Sequence, residues 1–101
     1  VSSYKDLLSF PDESRRDAGY QLGFVQLGFE PSDWKPMSSI GQGVKEIRIH
    51  VEGEFRVLYI AKYEEAIYVL HAFQKKTQKT PKKDIDIAKA RFRELERERK
   101  S

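Results

Sequence analysis

Arg48, Arg56, His71 and Lys75 are the residues of this 101-residue chain whose types and spacing can do chemistry. A histidine is the one side chain here that is both charged and neutral near neutral pH. Arginines, a histidine, lysines and an aromatic are what metal-independent RNA cleavage needs. A base takes the proton from a 2′-hydroxyl, cations stabilise the charge building on the phosphate, and an acid protonates the leaving 5′-oxygen. Phe73 is the aromatic able to stack a splayed base. No Ser/His/Asp arrangement, paired carboxylates on an apolar face or metal-ligand spacing competes with this set. The plainer reading of His71 is a structural histidine at a strand end.

Three strands bring these residues together, at about 45–51, 54–62 and 66–74. Ile47, Ile49 and Val51 alternate with Glu46, Arg48 and His50, while Phe55, Val57 and Tyr59 alternate with Glu54, Arg56 and Leu58, so one face of the hairpin is expected to be apolar. A three-residue Val51-Glu52-Gly53 loop puts only the glycine in positive φ and sets Arg48 directly opposite Arg56. Like charges facing across a ladder are destabilising unless something negative lies between them. The pair is therefore read as a phosphate site, against the plainer reading that both splay into solvent or pair with Glu46 and Glu54. An even-numbered loop, "EE" or "YEEA", leads into the third strand and places Phe73 beside Arg56, with His71 and Lys75 on the same surface.

Residues 71–83, "HAFQKKTQKTPKK", carry five lysines and no acid. Lys75, Lys76, Lys79, Lys82 and Lys83 thus extend the arginine patch, and they concentrate the basic charge of a second half that is net +4 where the first is net −1. Such an edge points to a polyanion partner, or simply keeps a strand end soluble. The last helix starts at Thr80-Pro81. Lys82 and Lys83 in its first turn oppose the dipole and are better explained by a phosphate passing nearby.

Elsewhere, "SSYKDLLSF" reads as a brief helix. Pro11, Asp12 and Glu13 open a second, whose Ala18, Leu22, Val25 and Phe29 recur at helical spacing. Gly19 and Gly23 inside it are expected to be compensated by close backbone packing. Residues 30–43 read as a loop over a buried Trp34, and "GQG" lacks the rest of a phosphate-loop pattern. Ile85, Ala88, Phe92 and Leu95 give the last helix one narrow apolar side. The whole, residues 1–101, is one domain of α+β class. Without cysteines, disulfides and thiolate metal sites are excluded. No apolar run reaches a membrane span and no signal peptide opens the chain, so a cytoplasmic protein with no metal and no cofactor is expected.

"KEIRI", "FRVLYIAK" and "YVLHAFQKKTQKTPKKDIDIAKAR" resemble the RelE/ParE superfamily of type II toxin–antitoxin toxins, most closely its HigB-like, phage-derived branch. The likeness runs over most of residues 3–100, and "LHAFQKKTQKTP" with its following helix is a signature of that branch. It implies an N-terminal helical hairpin packed on a small, mostly antiparallel sheet, with a C-terminal helix. It further implies a ribosome-dependent mRNA endonuclease neutralised by a cognate antitoxin, often a helix-turn-helix protein. By this resemblance Arg48 and Arg56 lie near the scissile phosphate, and Lys75 and Lys76 fall near the family's basic residue after the last strand. His71 matches the branch alone, and which group is the base stays open. Two departures stand out. The strand that precedes the first helix in members is missing here or reduced to Val1, and the lysine segment lacks the tyrosine some members carry. Two rival readings are a non-catalytic toxin blocking a protein target such as gyrase, and a degenerate toxin that only binds its antitoxin.

Overall fold

A computed structural model describes residues 4–61 and 66–100. The chain runs α1 (Tyr4–Leu8), α2 (Asp12–Gln26), β1 (Trp34–Pro36), β2 (Val44–Ile49), β3 (Phe55–Ile60), β4 (Tyr68–Gln74) and α3 (Lys82–Lys100). The four strands form one antiparallel sheet in the order β1-β2-β3-β4. This is the expected α+β architecture. Val1, to which the strand before the first helix was expected to be reduced if present, and most of the loop between the last two strands lie outside the described residues.

Both faces of the sheet are covered. On one, Leu7, Phe10, Ala18 and Leu22 of the N-terminal segment pack on Ile47, Ile49, Phe55, Val57 and Tyr59. On the other, Ala88, Phe92 and Leu95 of α3 pack on Val44, Leu58, Ile60, Leu70 and Phe73. Burying this much apolar side chain on two faces is the main source of stability in so small a domain. Every residue of β3 is buried. The expectation of one apolar face and one open face is therefore corrected: a strand at the centre of a two-sided core need not alternate.

The register carries the functional row. Arg48 pairs with Arg56 and Arg56 with Phe73, as the sequence implied. Leu58 pairs with His71 but Tyr59 with Val69, so a bulge leaves Leu70 unpaired in the ladder and turns it into the α3 core.

Several local expectations are corrected. The β2–β3 connection runs over 50–54, with the expected three-residue stretch Val51–Gly53 at its centre, yet Glu52 (φ 58°) has positive φ as well as Gly53 (φ 129°). Ser14 of α2 donates a hydrogen bond to the Val51 carbonyl, which holds the loop entry against α2. The 30–43 loop contains β1, whose Trp34 is only half-buried, with the Lys45 ammonium 4.6 Å from its ring centroid. α2 stops at Gln26, leaving Phe29 exposed. A Cβ at Gly19 or Gly23 would meet nothing within 4 Å, so no close packing compensates either glycine. Pro81 precedes α3 rather than opening it, its carbonyl accepting from the amides of Asp84 and Ile85. Both glycines of "GQG" have structural work: the Phe92 ring comes within 2.5 Å of any Cβ added at Gly41, and Gly43 has a positive φ of 90°.

Candidate functional site

Arg48 and Arg56 face one another on neighbouring strands, and what lies between them is a carboxylate. Glu46 Oε1 is 3.6 Å from Arg48 Nε and 3.8 Å from Arg56 Nε, with Lys35 Nζ at 4.0 Å. These are ion-pair separations. Among the described residues neither Glu46 oxygen, nor Arg56 Nε, has a hydrogen-bond partner, although the Glu46 side chain is only 1% exposed.

The charges continue outward. Arg48 Nη1 lies 3.4 Å from Asp33 Oδ1, and Asp33 Oδ2 is 2.7 Å from His50 Nε2. His50 Nδ1 is 2.9 Å from Glu54 Oε2, and Glu54 Oε1 accepts from Arg56 Nη1 at 3.1 Å. Glu46, Arg48, Asp33, His50, Glu54 and Arg56 thus close a ring of alternating sign. It runs from the buried Glu46 and Arg56 (7% exposed), through Arg48 (33%), to His50 (51%). The hydrogen bond to Asp33, then that to Glu54, raises the His50 pKa above its ordinary value. The same histidine bonds hold Asp33 and Glu54 below the usual carboxylate range, aided by Arg48 and Arg56 respectively. Three carboxylates answer two guanidiniums and one imidazole, so the ring has no net positive charge with His50 protonated.

His71 sits inside a second polar cluster. Its Nε2 is 2.7 Å from Asp84 Oδ1 and its Nδ1 is 3.2 Å from Asp6 Oδ2. Arg91 Nη1 donates to Asp6 Oδ2 at 2.7 Å and to the Leu70 carbonyl at 2.9 Å. The His71 ring stacks on Phe73, centroids 5.2 Å apart, and both are buried. A neutral imidazole has one N–H. Arg91 Nη1 also lies 3.4 Å from Nδ1, so the donor and acceptor roles of the two ring nitrogens depend on the tautomer. The cluster ties α1 and α3 to β4.

The uncompensated charge lies beyond β4. Lys76, Lys79, Lys82 and Lys83 are exposed and Lys75 is half-buried. Among the described residues only Lys82 of these has a carboxylate within 4 Å, Asp86 at 3.8 Å on an exposed helical turn. A cavity of about 330 Å³ opens in this segment, lined by Phe73, Gln74, Lys76, Thr77, Pro81, Lys83 and Asp84.

Residues 5–93 match the family described as "Phage derived protein Gp49-like". The chain belongs to that family. Gp49-like proteins are a phage-derived part of the RelE/HigB-type toxin group. No curated protein matches the chain.

In this Gp49-like chain Arg48, Arg56 and Phe73 are brought into one row across three strands, with His71 behind Phe73 and Lys75 just past β4. The expectation of a freely exposed cationic patch is corrected: Arg56, His71 and Phe73 are buried and the arginines carry counter-ions. Asp33, His50 and Asp84 were not singled out from the sequence. The His50–Glu54 pairing was legible from the hairpin register. Asp33 was not, because β1 was read as loop. Among the described residues no group of three His, Cys, Asp or Glu side chains could hold a metal ion, and no helix is long and apolar enough to cross a membrane. The buried Tyr59 hydroxyl is pushed up to about 12 by desolvation, too high for proton exchange near neutral pH.

Proposed function

We propose that this protein is the toxin of a type II toxin–antitoxin pair and acts as a metal-independent, ribosome-dependent mRNA endonuclease, silenced by a cognate antitoxin of the helix-turn-helix kind. The observation that carries the reading is the lysine edge, Lys75 to Lys83, two of whose members, Lys76 and Lys83, line a cavity that also takes in Phe73 of the Arg48–Arg56–Phe73 row. Unpaired lysines attract a phosphate backbone from a distance. The arginine row offers planar forks for one phosphate at close range.

In this reading Arg48, the more exposed of the pair, takes the phosphate in exchange for Asp33, and Arg56 supports it from beneath. Phe73, Lys76, Lys79, Lys82 and Lys83 position the strand. Lys75 or His71 exchanges protons. His71 reaches substrate only by trading one of its two carboxylates for it. Incubation with translating ribosomes followed by mapping of RNA ends tests the proposal. Cleaved message from the native protein, and loss of cleavage in folded Arg48→Ala and Arg56→Ala, is expected. Uncut message, or unchanged cleavage in both variants, overturns it.

A second reading has its own observation. Tyr20, Phe24, Leu27 and Phe29 expose large apolar side chains on and just after α2, a feature of protein-binding surfaces. A toxin that blocks a protein target fits such a surface. Growth arrest with intact RNA assigns that reading, and no arrest at all assigns a degenerate toxin that only binds its antitoxin.

A further inference from the structure

We propose that the cavity between the end of β4 and the start of α3 takes one unpaired nucleotide whose base carries an exocyclic amino group, and that Asp84 selects for that amine. The inference rests on the RNA reading above and makes it specific to base type.

The lining is divided by chemistry. Phe73 and Pro81 are its apolar lining residues, Gln74, Thr77 and Asp84 its polar ones, and Lys76 and Lys83, both exposed, complete it. A volume of about 330 Å³ falls at the small end of ligand-sized cavities, too small for a folded RNA element and suited to a single nucleotide. The two lysines suit its phosphate. Their charge is not consumed by any carboxylate within 4 Å among the described residues.

Asp84 decides which base. It is buried, and His71 Nε2 at 2.7 Å fixes Oδ1. The side chain therefore has a set orientation rather than a choice of rotamers. No donor within hydrogen-bond distance engages Oδ2 among the described residues. A carboxylate oxygen accepts and does not donate. It pairs with the amine of cytosine, adenine or guanine. Uracil presents carbonyl oxygens where those bases carry an amine, and its one ring donor lies between two of them. A buried carboxylate left facing a carbonyl loses its partner and gains repulsion.

Oligocytidylate and oligouridylate make the decisive pair, since both are pyrimidines and differ in the group at issue. Fluorescence anisotropy of the isolated protein with each short oligomer, away from ribosomes, is expected to show roughly fivefold or more tighter binding of oligocytidylate. Lys76→Ala and Lys83→Ala are expected to weaken both oligomers equally. Asp84→Asn keeps an acceptor for His71 but places an amide donor in the cavity, so the preference should vanish or reverse. Equal affinity of the native protein for both oligomers overturns the proposal, as does an undiminished preference in folded Asp84→Asn. If melting shows that Asp84→Asn does not fold, Thr77→Trp, a large side chain at an exposed lining position, replaces it; a preference that survives this filling overturns the proposal. Cytidine preference with uncut ribosomal message sinks the nuclease reading alone. Cut message without the preference sinks the Asp84 assignment alone.

Discussion

Arg48 and Arg56 sit directly opposite one another on β2 and β3 with the Glu46 carboxylate 3.6 and 3.8 Å from their Nε atoms. Two guanidiniums in that position repel. The buried acid is what lets them share a ladder rung. Glu46→Gln keeps the shape and removes the charge, leaving Arg56 deep in the fold with Glu54 as its one remaining carboxylate within 4 Å among the described residues. Breaking a buried pair from one side typically costs several kcal/mol, and Glu54 and Asp33 soften the loss. Urea unfolding should show Glu46→Gln less stable by roughly 2–3 kcal/mol. A change below about 0.5 kcal/mol would mean that the arginines do not need it.

The outer half of the same ring titrates. His50 has its pKa raised above the ordinary 6.5 by Asp33 first and Glu54 second, so its contribution is fully present below that value and fades as pH rises through the raised one. Asp33 and Glu54 are lowered from 3.8 and 4.5. Their contribution is present above those values and is lost as pH falls through the lowered ones. The network is therefore complete from about pH 5 to 6. His50→Gln should flatten the decline in stability on the alkaline side of that window. Because His50 is half exposed, the difference should stay under about 1 kcal/mol. Thermal melts of both proteins across pH 5 to 8.5, roughly the range of the imidazole, would show it, and parallel curves would contradict it.

The sheet and its helices were legible because Ile47/Ile49 and Phe55/Val57/Tyr59 alternate and Ala18/Leu22 and Ala88/Phe92/Leu95 recur at helical spacing. From the hairpin pattern followed the Arg48–Arg56 opposition, and from the last strand's parity the place of Phe73. What stayed hidden was which face is open. β3 alternates in type but not in burial, since α3 closes the side holding Arg56, and no local pattern in 55–60 announces a helix arriving from residues 82–100. Asp33 and Asp84 were hidden for a similar reason. Their partners lie 15 and 13 residues away in sequence, and only the folded register brings them together.

Gly19 and Gly23 lie mid-helix in α2, with open space where a Cβ would stand and no positive φ. Nothing in the isolated fold needs them. Gly19→Ala and Gly23→Ala should each stabilise the protein by about 0.5–1 kcal/mol, by restricting the unfolded chain and favouring helix. Destabilisation by either would contradict this account. Both glycines border Tyr20 and Phe24, which are exposed. An alanine that raises the melting temperature yet weakens capture of the proposed antitoxin would show that a partner closes over this side of α2.

The lysine edge offers the sharpest test of nucleic-acid contact, because its signature is independent of cleavage. Each lysine that neutralises a phosphate releases a counterion, so binding falls with salt at a slope set by the number of contacts, about −0.7 per contact for single strands. Lys76, Lys79 and Lys83 are exposed and carry no carboxylate partner within 4 Å among the described residues. Removing each should reduce the slope by nearly one contact. Lys82, held 3.8 Å from Asp86, should count for less. Arg15 and Arg16, paired with Asp12 and Glu13 on α2, should not change it at all. Titrations of the single Ala variants with a short single-stranded RNA at several salt concentrations decide the matter. A slope that responds to Arg16→Ala as strongly as to Lys83→Ala would place the RNA on α2 instead.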